Sequence, residues 1–389
     1  MGTSILNDVT VERWVYGGEG LARLDGKVVF APFLLPGERA RISARDAMHA
    51  DLEEILESSP ERVAPPCPLF TKCGGCHYQH APYEFQIARK AEILREQLKR
   101  VGKIEYSGEI GTVSGPALGY RNRVQVHMEN GKLGYLAPRS HDLIALEGDC
   151  PVASPKLNEA LAAMRERLKD SKFPRFVKSM ELFTNETEVQ INVLDTGRPV
   201  AKWFFEWCES AAAIDYTTAL GKFRVSPHSF FQVNRFLVEK LVEVAVAELE
   251  GGSALDLYAG VGLFALPLTK RFANVTDVEG AGSAARDLAH NAAGALLVEY
   301  ERVEDYLGRL KATPDVILAD PPRAGLGKAV VGHLNRLAPK QLVIVSCDPA
   351  TLARDLAAMP NYSIARLTMV DLFPQTYHME TVVQLRRNL

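Results

Sequence analysis

The stretch Gln341 to Asp355, QLVIVSCDPATLARD, limits the possible folds more than any other in the chain. Leu342 to Val345, followed by Ser346, is too short and too uniformly apolar for an amphipathic helix. It reads as a strand covered on both faces, the mark of a parallel sheet. Asp348 and Pro349 then supply a helix N-cap and a proline at the first helical position. Cys347 therefore stands where a strand hands over to a helix, at the carboxyl edge where open α/β sheets bind ligands. The positive end of the helix dipole favours thiolate there, which makes Cys347 the candidate nucleophile. The plainer alternative is a small buried hydrophobe.

The rest of the C-terminal half carries the same pattern. Strand signals recur at Ala254 to Leu257, Asn274 to Glu279, Val316 to Ala319 and Ile364 to Val370, with helical stretches between most of them. This alternation predicts a doubly wound, Rossmann-like α/β domain over residues 226–389. Thr381 to Leu385 follows its predecessor too closely for a crossover helix and is expected to return antiparallel at the edge. After the first strand comes DLYAGVG, where Gly260 and Gly262 let the backbone turn and approach a ligand. Glu279 ends the second strand, placed to accept ribose hydroxyls of an adenosine. A nicotinamide dehydrogenase would share this feature, but Ala265 replaces the third glycine, and the fourth strand runs into Asp320-Pro321-Pro322-Arg323, a turn suited to a base-modifying site.

The N-terminal half differs. Residues 1–60 read as short strands between glycine turns, a small five-stranded barrel in which six basic residues between Val9 and Arg45 face four acidic ones. Such barrels bind oligonucleotides or serve as plain structural modules. The acidic run Asp51 to Glu57, followed by prolines at 60, 65 and 66, reads as a linker. Cys67, Cys73 and Cys76 then fall within ten residues, with Gly74 and Gly75 between them, a density of soft ligands that suits zinc or an iron–sulfur centre. Cys150, or alternatively His77 or His80, can complete the ligand set. Phe85 to Lys103 predicts a helix with Ile87, Ala91, Leu94, Leu98 and Val101 on one stripe; its six basic residues against Glu92 and Glu96 suit either a solvated face or an RNA track, and it can pack on the catalytic domain. Residues 61–225 otherwise alternate as an α+β region, with a helix near Ser154 to Lys169. Tyr120-Arg121-Asn122-Arg123 is suited to stacking and phosphate contact. Trp203, Trp207 and Cys208 read as core.

A length of 389 residues implies two or three domains, and 47% hydrophobic with 24% charged residues describes a globular chain. No run approaches a membrane span, and Met1 to Thr10 lacks the features of a signal peptide, so a cytoplasmic location and no membrane partner are expected. Cysteines in that compartment serve metal binding or catalysis rather than disulfides. A net charge of −3 gives no general support for nucleic-acid binding.

With these residues in hand, nearly the whole chain resembles the RNA 5-methyluridine methyltransferases, in the branch with an N-terminal TRAM domain and an iron–sulfur cluster. The resemblance rests on FFQVN (Phe230 to Asn234), DLYAGVG, DPPRAGL (Asp320 to Leu326), SCDPATLARD and FPQTYHMETVV (Phe373 to Val383). It implies a class I methyltransferase domain in which Gln232, Tyr258, Glu279 and Asp320, with the loop glycines Gly260 and Gly262, contact S-adenosylmethionine. It further implies Cys347 as nucleophile, Glu380 as base, and a [4Fe-4S] cluster on Cys67, Cys73, Cys76 and Cys150. The expected partner is RNA, ribosomal rather than transfer RNA, and the expected state is a monomer. Relatives carry asparagine where this chain has Leu263. A 5-methylcytosine enzyme using the same thiol addition and a non-catalytic RNA-binding protein are the other readings weighed.

Overall fold

The computed structural model describes residues 6–201, 204, 210–280 and 282–388; Trp203, Trp207 and Cys208 lie outside the described residues. An eight-stranded sheet dominates the C-terminal half. Its first five strands are parallel neighbours: Leu297–Glu299, Asn274–Val278, Ser253–Leu257, Val316–Ala319 and Gln341–Ser346. Along the central strand, Leu342 and Ile344 enter one core while Val343 and Val345 enter another on the opposite face. That two-sided cover is why the segment shows no polar alternation.

The final strand, Glu380–Arg387, is antiparallel as expected but does not lie at the edge. It is wedged between Gln341–Ser346 and Tyr362–Val370, and Ile110–Val113 closes the sheet beyond them. Residues 380–385 are all buried, which an edge position would not allow. The edge strand itself comes from the N-terminal half of the chain.

Residues Leu6 to Glu57 form five antiparallel strands, the acidic run Asp51 to Glu57 belonging to the fifth, Ala50–Glu57, and not to a linker, and the sheet curls until Phe30 N–H donates to Met48 O at 2.8 Å. A small core of Val9, Val11, Leu34, Ala40 and Ile42 fills it. Most of its basic residues are already paired: Arg23 with Glu12, Arg39 with Glu57, Arg41 with Asp8 and Glu54, and Arg45 with Asp51. Exposed pairs like these add about 0–1 kcal/mol each and leave little free positive charge on the barrel.

The long helix spans Tyr83–Arg100. Its buried positions are Gln86, Lys90, Ile93, Leu94 and Leu98, whereas Val101, expected on the apolar stripe, is exposed. It packs against the helix Pro349–Ala357, and its apolar residues join the core on one face of the large sheet. A second five-stranded antiparallel sheet, Val177–Thr184 flanked by Val189–Thr196 and Arg123–Glu129, with Lys132–Leu136 and Leu143–Ala145 beyond, forms the middle of the molecule. Among the described residues no helix is long and apolar enough to cross a membrane.

Candidate active site and cysteine cavity

The helix after Cys347 begins as the sequence predicts. Asp348 caps it by accepting from Ala350 N and Thr351 N at 2.9 Å, and Pro349 occupies the first turn. Strand register then brings Glu380 beside Cys347. Ser346 opposes Thr381, so one further step of the antiparallel ladder sets Cys347 against Glu380, two residues separated by more than thirty positions in sequence. On the other flank Ala319 pairs with Ile344, which delivers Asp320 to the same rim.

The electrostatics correct the expectation of a resting thiolate. Burial pushes the Cys347 thiol up to about 12; Glu380, Asp320 and Asp348 add to the rise, and Arg323 opposes it. Desolvation and like charge outweigh the partial charge of one helix end. Burial, with the charge of Asp320, also holds Glu380 well above the usual carboxylate range, again against Arg323. Burial raises Asp320 to about 7. Arg323, which follows the Asp-Pro-Pro turn, is thus the cation facing both Cys347 and Glu380, a role invisible in sequence spacing. Glu380 is buried, and its Oε1 has no hydrogen-bond partner among the described residues, so the carboxyl keeps one oxygen for a ligand.

Aromatic side chains from distant elements wall this rim. Tyr16, in the first turn of the barrel, donates its hydroxyl to Asp348 Oδ2 at 3.1 Å and stands edge-on to Tyr377. His77 packs against Tyr377, which leans on His378. Burial and nearby cations push His378 down to about 3, so its imidazole is neutral at pH 7. Phe230 is exposed, two residues before the buried Gln232. Tyr16 belongs to no motif, and His378, although inside FPQTYHMETVV, carries no local sign of its role; the contact of both with the site is tertiary.

The glycine loop has the form a nucleotide-bearing ligand needs. Tyr258, Gly260 and Gly262 all have left-handed backbone, φ 60, 58 and 89. A Cβ at Gly260 would meet open space, whereas one at Gly262 would lie 2.8 Å from the Leu288 side chain, so the left-handed backbone favours glycine at both positions and close packing adds to this at the second. Glu279 Oε2 accepts from Gly260 N–H at 2.9 Å, which ties the acidic residue to the loop. Leu263 is buried in an apolar core and takes no place on the loop's surface. Beneath the loop, Asp256 and Asp277 lie in register, buried, with none of their carboxyl oxygens hydrogen-bonded among the described residues; burial raises both, Asp277 to about 8.

Cys67, Cys73, Cys76 and Cys150 line one cavity of about 290 Å³ together with Arg121 and Tyr135. Burial pushes Cys73 up to about 11 and Cys76 up to about 12, and Cys150 raises both further. Thiols that hinder one another's ionisation are released together by a shared cation, so the donor chemistry fits a thiolate-bound centre. Among the described residues no group of three or more His, Cys, Asp or Glu is already drawn in to hold a metal ion. His80 is buried at the interface with the barrel, edge-on to Trp14, and lies outside the residues lining this cavity.

Three residues read as candidates for RNA contact are buried in the fold instead. Arg123 pairs with Glu181 at 2.7 Å and lies over the Phe183 ring, and Tyr120 is fully buried. Lys90, one of the six helix cations, is buried against Asp371.

A five-stranded parallel array, an antiparallel strand inserted beside its last member, and a glycine loop answered by an acidic strand end form a doubly wound nucleotide-binding fold, and its match to the solved relative below makes it a class I S-adenosylmethionine-dependent methyltransferase. The family model described as tRNA (uracil-5-)-methyltransferase matches residues 298–388. A protein of Halomonas elongata named 23S rRNA (uracil(1939)-C(5))-methyltransferase RlmD is 33% identical over 438 residues, covering 99% of this chain and 90% of its own. An uncharacterized RNA methyltransferase of Aquifex aeolicus is 32% identical, with 97% of each chain covered. The solved tRNA (uracil-54, C5)-methyltransferase of Pyrococcus abyssi, in complex with S-adenosyl-L-homocysteine, superposes with a TM-score of 0.77 at 26% identity over 97% of this chain and 99% of that one. The chain belongs to the RNA uracil-C5 methyltransferase family, and it is an S-adenosylmethionine-dependent enzyme that methylates uracil in RNA.

Proposed function

We propose that this enzyme methylates carbon 5 of a uridine in 23S ribosomal RNA through a covalent adduct between Cys347 and the uracil ring. The observation that carries the mechanism is the register that sets Cys347 against Glu380 at one rim, with Asp320 and Arg323 beside them. Carbon 5 of uracil is a weak nucleophile. Addition of the Cys347 sulfur at carbon 6 forms a C–S bond and moves the ring's π electrons onto carbon 5 and the adjoining carbonyl oxygen. S-adenosylmethionine, when bound, supplies a methyl group on a positively charged sulfur, with Gln232, Tyr258, Gly260, Gly262, Glu279 and Asp320 holding it. After methylation Glu380 removes the carbon 5 proton, the carbon 5–carbon 6 double bond reforms, and the thiolate leaves.

A resting Cys347 thiol and a raised Glu380 carboxyl suit this order. Burial raises both groups and Arg323 favours the charged form of each; Cys347 loses its proton to solvent before its sulfur adds, and Glu380 acts as the carboxylate. Turning a stacked uridine out costs on the order of a few kcal/mol. Tyr16, His77 and Tyr377 offer ring surfaces that offset part of that cost. Residues 1–60 are read as the TRAM-like barrel, 61–225 as the central region and 226–389 as the methyltransferase domain. Cys67, Cys73, Cys76 and Cys150 are read as ligands of a structural [4Fe-4S] cluster, supported by their shared cavity.

Ribosomal RNA is favoured by the name of the Halomonas relative, and transfer RNA is the second reading because of the Pyrococcus structure. RNA from a strain lacking the gene, incubated with the enzyme and methyl-labelled donor, separates them. Label recovered as 5-methyluridine in the large ribosomal RNA supports the proposal. Label confined to tRNA selects the second reading, and labelled 5-methylcytidine refutes both.

A further inference from the structure

Glu380 is reached through the segment Asp371 to Met379, which crosses the rim between two strands, and the long helix grips that segment from below. Gln86 and Lys90 lie four residues apart on one helix face, both fully buried. Long polar side chains occupy such positions when their hydrogen-bonding groups are satisfied. Lys90 Nζ donates to Asp371 Oδ1 at 2.7 Å, to Phe373 O at 3.0 Å and to His378 O at 2.9 Å, which uses all three of its protons. Gln86 Oε1 accepts from Gln375 N at 3.0 Å, and its Nε2 donates to Gln375 Oε1 at 2.9 Å. Between these grips, Tyr120 donates its hydroxyl to Pro374 O at 3.0 Å. Gln375 is held at φ 66, a conformation that residues other than glycine adopt only when their surroundings impose it.

We infer that Lys90 is a positioning residue for the reaction: by tying Asp371, Phe373 and His378 to one ammonium group, it fixes where Glu380 meets the carbon 5 proton. The inference rests on the reaction proposed above. Cys347 is placed independently, by the parallel ladder and by the Asp348 cap, so the position of the attacking sulfur does not depend on this clamp, which bears on uridine binding through the rings of Tyr377 and His378. Proton removal does depend on it, because a base acts only within hydrogen-bond reach, and a misplacement of about 1 Å costs about 10²-fold. Loosening the clamp should therefore stall the reaction after methylation, with the enzyme still attached to RNA.

The test compares Glu380→Gln with the double variant Lys90→Met/Asp371→Asn, which removes both charges and leaves neither buried alone. Each is incubated with RNA from a strain lacking the gene and with methyl-labelled S-adenosylmethionine, then run on a denaturing gel. Both are expected to retain label in a protein–RNA adduct. The double variant should turn over about 10²-fold more slowly, with KM for the donor within about twofold of the parent. Normal turnover by the folded double variant, or lost turnover without adduct, overturns the inference. Should that variant fail to fold, Tyr120→Phe and Gln86→Met loosen the same segment: adduct in either supports the inference, and adduct in neither overturns it. If Glu380→Gln itself forms no adduct while Cys347→Ala is inactive, the proposed role of Glu380 fails, and the clamp with it.

Discussion

Two thiol sites in this molecule begin from the same physical state and differ in their neighbours. Burial raises Cys347 at the sheet rim and Cys76 in the cysteine cavity alike, each to about 12. At the rim a single sulfur faces the carboxyls of Glu380 and Asp320 and the cation of Arg323. In the cavity, four sulfurs face one another. A lone thiol beside an acid and a cation can ionise when a substrate arrives and recover its proton afterwards. Buried thiols such as Cys73 and Cys76, each raised further by neighbouring thiols, have no such route, and a shared metal centre of the kind proposed would release them together. One arrangement suits a bond made and broken each cycle, the other a bond made once.

The contrast breaks most readily at its strongest point. Cys347→Ala is expected to lower methyl transfer by about 10⁴-fold or more while leaving the iron and colour of the proposed cluster at the parent's level. Loss of iron in that variant would show the two sites are not separate. The reciprocal change, Cys150→Ala, is expected to yield colourless protein whose Tm falls by about 5–10 °C, read by calorimetry and metal analysis. A parent protein carrying one zinc and no iron would refute the cluster.

The pH dependence sharpens the rim's side. Cys347 and Glu380 both act in deprotonated form and both are raised, so kcat/KM should climb with pH from 6 to 9, about tenfold per unit while one group limits. Arg323→Gln removes the cation that favours both charged forms and should move the rise about one unit higher. A flat profile for the parent would contradict the raised pair. The smallest effect belongs to Tyr16→Phe, which deletes one hydrogen bond to Asp348 and keeps the ring; a fall of about threefold in kcat/KM is expected.

The sequence discloses the two sites unequally, and the reason is physical. Cys347 announces itself because a strand, an N-cap and a proline are local signals, and the structure places all three as read. Its neighbour Glu380 owes its position to a register that no periodicity encodes, since the final strand inserts between two others instead of joining at the edge. Ile110–Val113 escapes a pattern reading because four residues including a glycine carry no period. Lys90 reads as one cation of a solvated face or an RNA track because a lysine beside arginines on an amphipathic helix looks exposed; only the fold reveals Asp371 against it. Arg123 misleads in the same way, its partner Glu181 lying on a neighbouring strand.

The bond between sulfur and pyrimidine can be caught directly. RNA carrying 5-fluorouridine has no carbon 5 proton for Glu380 to remove, so the enzyme should remain attached after methylation. Digestion and mass spectrometry are predicted to find a methylated fluorouridine on the peptide that contains Cys347. An adduct on any other residue, or an undiminished adduct in Cys347→Ala, would contradict the account.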